Sequence, residues 1–238
     1  AYGGVVPEIA SREHLRKISS VVKTAMAESG LEYSDLDAIA VTKGPGLIGS
    51  LLVGLSYAKA VAETLQIPLI GVHHLSGHLY GGVMSSEEME PPLCALIASG
   101  GHSSIVYMAE HLSFEVMGET RDDAAGEVLD KVARSLGLPY PGGAALEALA
   151  EKGDSDAIDF PRVWLEPNSF DFSFSGLKSH VLNYLNRAAM KGATVNHADV
   201  AASFQKALFE VLAEKSVRAC KEKGVKRLVL SGGVAANC

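Results

Sequence analysis

Cysteine is scarce in this sequence: Cys94, Cys220 and Cys238 are the only three in 238 residues. They are odd in number, scattered, and free of any Cys-x-x-Cys spacing. That argues against a disulfide framework and a thiolate zinc site and fits a reducing cytosol. Long apolar runs are lacking as well. The longest, around residues 93–98, falls well short of the roughly 20 residues a membrane span needs, so no membrane association is expected. The first seven residues hold neither a basic n-region nor an apolar h-region, and no signal peptide is read there. Basic charge is the third deficit. Lys and Arg number 21 against 28 Asp and Glu, a net charge of −7, which argues against the whole surface as a nucleic-acid platform. RNA binding would have to use a local patch or a partner subunit. The densest basic stretch is Lys215, Arg218, Lys221, Lys223, Lys226 and Arg227, and its plainer reading is a solvated helix face.

What is present is apolar material in short, ordered pieces. Leu15, Ile18, Val22, Ala25 and Met26 recur at helical spacing, predicting a helix over 11–29 that Gly30 closes. A short strand at 38–42, a helix rich in small residues at 49–65 and a strand at 67–72 follow. Strand–helix–strand predicts a parallel α/β sheet. Pro91-Pro92, after the polar stretch 85–90, places a lobe boundary between 91 and 92. The first lobe then covers 1–91 and the second 92–238. Strands at 93–98 and 104–108 flank the glycine bend Ser99-Gly100-Gly101-His102-Ser103. Helices are expected at 124–136, 144–152, 177–190 and 198–223, and a last strand at 227–230 runs into Ser231-Gly232-Gly233.

Two sequence features bear on chemistry. An apolar strand followed by Ser-Gly-Gly occurs twice, at 96–101 and 229–233. Glycine lets backbone N–H groups approach a phosphate or ribose closely because no Cβ intervenes. His74 and His78 stand four apart in His-Leu-Ser-Gly-His, and on a helix both imidazoles face one way and can share a cation. The position after the first histidine is Leu75, where a zincin carries its glutamate, so metalloprotease chemistry lacks its base. Gly44-Pro45-Gly46-Leu47-Ile48-Gly49-Ser50 lacks the Lys-Ser/Thr of a P-loop and reads as a strand-to-helix turn. Asp122 and Asp123 are read as first-turn acids of the helix that follows. Asp130 lies deeper in that helix, free to bond a ribose hydroxyl, and Glu147 sits one turn inside the helix entered at Pro141-Gly142-Gly143.

Taken together, eight motifs in order resemble the TsaD family. They are Gly3–Arg12, Lys43–Leu51, His74–His78, Ser99–His102, Asp122–Glu127 with Asp130-Lys131, Tyr140–Gly143, Phe172–Lys178 and Ser231–Asn237. The resemblance implies an α/β, actin-like ASKHA fold of two RNase H-like lobes, with a helical insertion at about 119–200 and truncation at both termini. It implies transfer of a threonylcarbamoyl group from threonylcarbamoyl-AMP to N6 of adenosine 37 in tRNAs reading ANN codons. It further implies one Fe²⁺ or Zn²⁺ per subunit, held by His74 and His78. Ala98, Ser99, Gly100, Gly101, His102, Asp130, Gly143, Glu147 and Asn237 would line the nucleotide. The implied partners are tRNA, a TsaB-like paralogous subunit and a small ATPase subunit of the bacterial type.

Two of the family's features are not in the sequence: its first strand with an Asp-Glu-Thr loop, and a third metal ligand, an Asp in Asp-Asn-Gly. The 238 residues therefore read as an internal stretch of a longer protein, expected by itself to bind metal weakly and to show no transfer. Two other readings are open: an ASKHA-type phosphotransferase or ATPase, which the Ser-Gly-Gly turns would permit, and an inactive scaffold paralogue. The histidine pair distinguishes the first, since such kinases hold Mg²⁺ with carboxylates and water. The intact pair and Asp130 speak against the second.

Overall fold

The computed structural model describes residues 5–84 and 89–237. The glycines at 3 and 4, most of the polar break at 85–90, and Cys238 lie outside the described residues. The chain divides into two compact units, Ala1–Gly77 and His78–Cys238.

In the first unit, α1 (Pro7–Ser29) starts on a proline, whose missing N–H costs nothing at a helix start, and ends at Gly30 with φ 69°. It lies against α2 (Ile48–Leu65), where a Cβ on Gly49 would come within 3.0 Å of the Ser11 Cβ. α2 crosses over between β1 (Ile39–Gly44) and β2 (Leu69–His73), which pair in parallel from Ile39↔Leu69 to Thr42↔Val72. The strand–helix–strand rhythm thus builds the parallel pair it predicts. α2 is long and apolar enough to cross a membrane by length and composition alone. Here it covers the sheet, with Gly54 against Val41 and with Ala58 and Ala62 buried.

The division between the two compact units falls inside α3 (His74–Val83). The end of α3 belongs to the second unit: Leu79 and Val83 are buried, and a Cβ on Gly82 would stand 2.3 Å from Val229 Cγ1.

The second unit is built on a four-stranded sheet ordered β5-β4-β3-β6. Its strands are β3 (Leu93–Ala98), β4 (Ser103–Glu110), β5 (Ser113–Glu119) and β6 (Leu228–Ser231). β3 is buried along its whole length, so it reads as an unbroken apolar run. It pairs antiparallel with β4 and parallel with β6. β5 was not foreseen: it is an edge strand, mostly exposed and carrying two glutamates, with too little apolar alternation to register as a strand.

Between β5 and β6 run α4 (Ala125–Ser135), α5 (Gly142–Ala150), α6 (Ser175–Met190) and α7 (His197–Lys223). The last of them, α7, is one helix of 27 residues. Asn196 caps its start, accepting from the Ala198 N–H at 3.0 Å, and Gly224 closes it at φ 66°. Phe204, Leu208, Val211 and Leu212 of α7 join β3, the inner face of α4 and the Phe172/Phe174 pair in one core. The two phenylalanines stack at 5.6 Å.

Candidate functional site

The ends of β3 and β6 in the second unit point their Ser-Gly-Gly turns at the start of α4 and the entry to α5. The first turn is locked: Ser99 N–H donates to the His102 carbonyl at 2.8 Å, and His102 N–H donates to Ser99 Oγ at 3.2 Å. α4 then closes on it. Gly126 N–H donates to the Ser99 carbonyl at 3.2 Å, and the buried Ser103 hydroxyl accepts from Ala125 N–H at 2.9 Å. Only glycine fits at 126, since a Cβ there would lie 2.7 Å from the Gly100 Cα. The second turn needs glycine for its backbone. Gly232 has φ 98°, and its Cβ position lies 2.2 Å from the Ala98 carbonyl. A 3₁₀ turn, Gly233–Ala236, delivers the chain to Asn237.

These close approaches leave a cavity of about 400 Å³. Its floor and sides include Gly100, Gly126 and Gly233, the carboxylates of Asp130 and Glu147, and Asn237. Leu129, Pro141 and Val234 supply apolar wall. Five of the nine residues expected at a nucleotide therefore line one cavity: Gly100, Asp130, Gly143, Glu147 and Asn237. The other four do not. Ala98 is buried behind the wall, and with Asn237 it lines a neighbouring apolar pocket of about 280 Å³. Ser99 forms the turn's internal hydrogen bonds, and Gly101 and His102 stand outside the lining. Gly126, Leu129 and Pro141 were missed. The 126/129/130 spacing on one helix face could have found the first two.

Asp130 is less free than its sequence position implies. One carboxylate oxygen, Oδ1, accepts from Gly142 N–H at 2.6 Å and so ties α4 to the turn entering α5. Asn237 Oδ1 is buried without a hydrogen-bond partner. The cavity lining contains no Lys, Arg, Ser, Thr or Cys. A larger cavity of about 550 Å³ beside Lys59, Glu63 and Gln66 in the first unit holds none of the expected site residues.

Asp122 and Asp123 are not first-turn acids of α4, which starts at Ala125. Asp122 reaches α6 instead. Its carboxylate accepts from the Ser173 and Ser175 hydroxyls at 2.6 Å each and from Phe174 N–H at 2.9 Å, capping that helix from across the chain. Asp123 bridges Lys131 at 2.7 Å and Lys178 at 2.5 Å. Burial pushes both carboxyls up, but the hydroxyl, amide and ammonium donors around them outweigh it and hold both below the usual range. The basic stretch is likewise partly consumed by the fold. Lys215 is buried, donating to the Asp171 carbonyl over the Phe172 ring, and burial pushes its ammonium below the usual lysine range. Arg218 holds the Pro167 and Ser169 carbonyls, and Lys223 pairs with Glu115 at 2.8 Å. Cys94 and Cys220 are free, buried thiols. Burial pushes Cys94 up to about 12.

His74 and His78 lie one turn apart on α3. Two imidazoles at i, i+4 fit part of the shell of a late first-row divalent ion. Among the described residues no third His, Cys, Asp or Glu gathers with them.

The family model described as TsaD: tRNA N6-adenosine threonylcarbamoyltransferase matches residues 1–238. The chain belongs to the TsaD family. Among curated relatives of that name, one from Moorella thermoacetica is 57% identical over 236 residues, covering 99% of this chain and 69% of its own length. One from Bacillus subtilis is 56% identical over 236 residues, covering 99% of this chain and 68% of its own. Among solved structures, YeaZ from Pseudomonas aeruginosa aligns at TM-score 0.34 and 21% identity, covering 43% of this chain and 51% of that one.

Proposed function

We propose that this chain takes part, as a portion of its full protein, in threonylcarbamoyl transfer to N6 of adenosine 37 of tRNA, with threonylcarbamoyl-AMP as the donor. The observation that carries the reading is the cavity that gathers Gly100, Asp130, Gly143, Glu147 and Asn237. Its glycines admit a ribose and phosphate against bare backbone. Asp130 and Glu147 present carboxylate oxygens suited to ribose hydroxyls.

The cavity lining holds no Ser, Thr, Cys or Lys nucleophile, which supports direct transfer without an acyl-enzyme. The N6 amine forms the new C–N bond to the carbamoyl carbon. The C–O bond to phosphate breaks, AMP leaves with that electron pair, and the amine proton is lost to solvent. His74 and His78 would hold one Fe²⁺ or Zn²⁺, which when bound supplies Lewis-acid polarisation of the threonylcarbamoyl group. The chain's own residues bind the nucleotide, orient it, and keep its carbamoyl end toward the incoming amine. A TsaB-like paralogue and a small ATPase subunit complete the proposed working assembly.

The test is reconstitution of the native protein with its partners, tRNA, ATP, threonine and bicarbonate or with preformed adenylate. Nucleoside analysis of the digested tRNA should show threonylcarbamoyladenosine. His74→Ala and His78→Ala should lower both the metal content and the product. ATP hydrolysis or phosphotransfer with no modified nucleoside would overturn the reading. Equal metal in wild type and both variants would overturn the metal assignment.

A further inference from the structure

Tyr140 stands immediately before Pro141, a wall residue of the cavity, yet lies outside the lining and is 58% exposed. Among the described residues no hydrogen bond or ring contact holds its side chain. Its backbone, by contrast, is held firmly. Pro139 and Pro141 restrict φ on either side. The next residue, Gly142, donates to Asp130 and is so close to α4 that a Cβ would lie 2.4 Å from the Ala133 Cβ. The result is a large aromatic surface with few rotatable bonds, fixed at the cavity rim and open to solvent. Such a ring binds a flat partner at small entropic cost.

We propose that Tyr140 is the platform on which a base of the RNA substrate stacks. The inference rests on the transfer reading above. An amine can attack a cavity-bound carbonyl only if its own nucleoside reaches the cavity mouth, so rim residues face the RNA. Splayed single-stranded bases are held by stacking on exposed aromatic rings, whichever base is presented. The cavity lining has no aromatic residue of its own and offers a nucleotide only the apolar walls of Leu129, Pro141 and Val234, which leaves Tyr140 to the second substrate.

Tyr140→Ala and Tyr140→Phe in the native assembly test it, with four readouts: KM for tRNA, kcat at saturating tRNA, calorimetric affinity for an adenylate analogue, and the salt dependence of tRNA binding. Tyr140→Ala should raise KM for tRNA by roughly 5- to 150-fold, the range found for losing one stacked base. Its kcat, adenylate affinity and salt slope should stay at wild-type values, since no phosphate contact is lost. Tyr140→Phe should behave as wild type. An unchanged KM for Tyr140→Ala would overturn the proposal, as would a loss carried by adenylate affinity, which would assign the ring to the cavity ligand. A wild-type assembly that transfers nothing would instead overturn the transfer reading itself.

Discussion

The hydroxyl of Ser231 donates to the carbonyl oxygen of His78 at 2.6 Å. One bond thereby joins the helix bearing the histidine pair to the strand end whose next residues form the cavity wall. Ser231→Ala should cost about 0.5–1.5 kcal/mol of stability, the usual net worth of such a bond. It should also weaken metal binding, because His78 loses an anchor on its own backbone. Thermal unfolding and metal titration together check this, and unchanged metal affinity would mean that α3 is held by its apolar contacts alone.

Gly126 offers the sharpest steric test. A methyl group at this position meets backbone of the Ser99–Gly100 turn at 2.7 Å, and backbone cannot step aside as a flexible side chain can. Gly126→Ala should destabilise the protein by about 1–3 kcal/mol and reduce nucleotide affinity as the walls separate. Denaturant midpoints and calorimetry measure the two effects.

Acid should loosen the second unit through Asp122 and Asp123. Both carboxyls are held below the ordinary value of 3.8, so the folded state binds fewer protons than the unfolded chain. Their contribution is present in full above that value and is lost as pH falls through the lower folded values. Asp122→Ala, which removes the cap on α6, should cost about 0.5–2 kcal/mol at neutral pH. It should also flatten the acid limb of the stability profile. An acid limb identical to wild type would assign the pH dependence elsewhere.

Asp130→Ala and Asp130→Asn should separate the two tasks of that side chain. Asparagine can still accept from Gly142 N–H, whereas alanine cannot. Loss of a charged hydrogen-bond partner costs about 1.5–3 kcal/mol, so both variants should bind an adenylate analogue at least roughly tenfold more weakly. Only alanine should also lower the melting temperature. Wild-type affinity in both variants would remove Asp130 from the nucleotide.

The local features were legible in the chain because their causes are local. Apolar spacing marked α1, a run of small residues marked α2, Gly30 marked a helix end, and the His74/His78 spacing marked one face of α3. The order of the motifs was enough to point to the family. Tertiary structure alone decided which distant segments meet. It bound Asp122 to serines 51 and 53 positions further on, and it buried Lys215 within an apparently solvated face. It also turned Gly100 toward the cavity and Ala98 into the core, and it gave one oxygen of Asp130 to the α5 turn. Spacing along a chain records the period of a helix or strand. A partner fifty residues away is selected only when the core closes and each buried donor or acceptor must find its match.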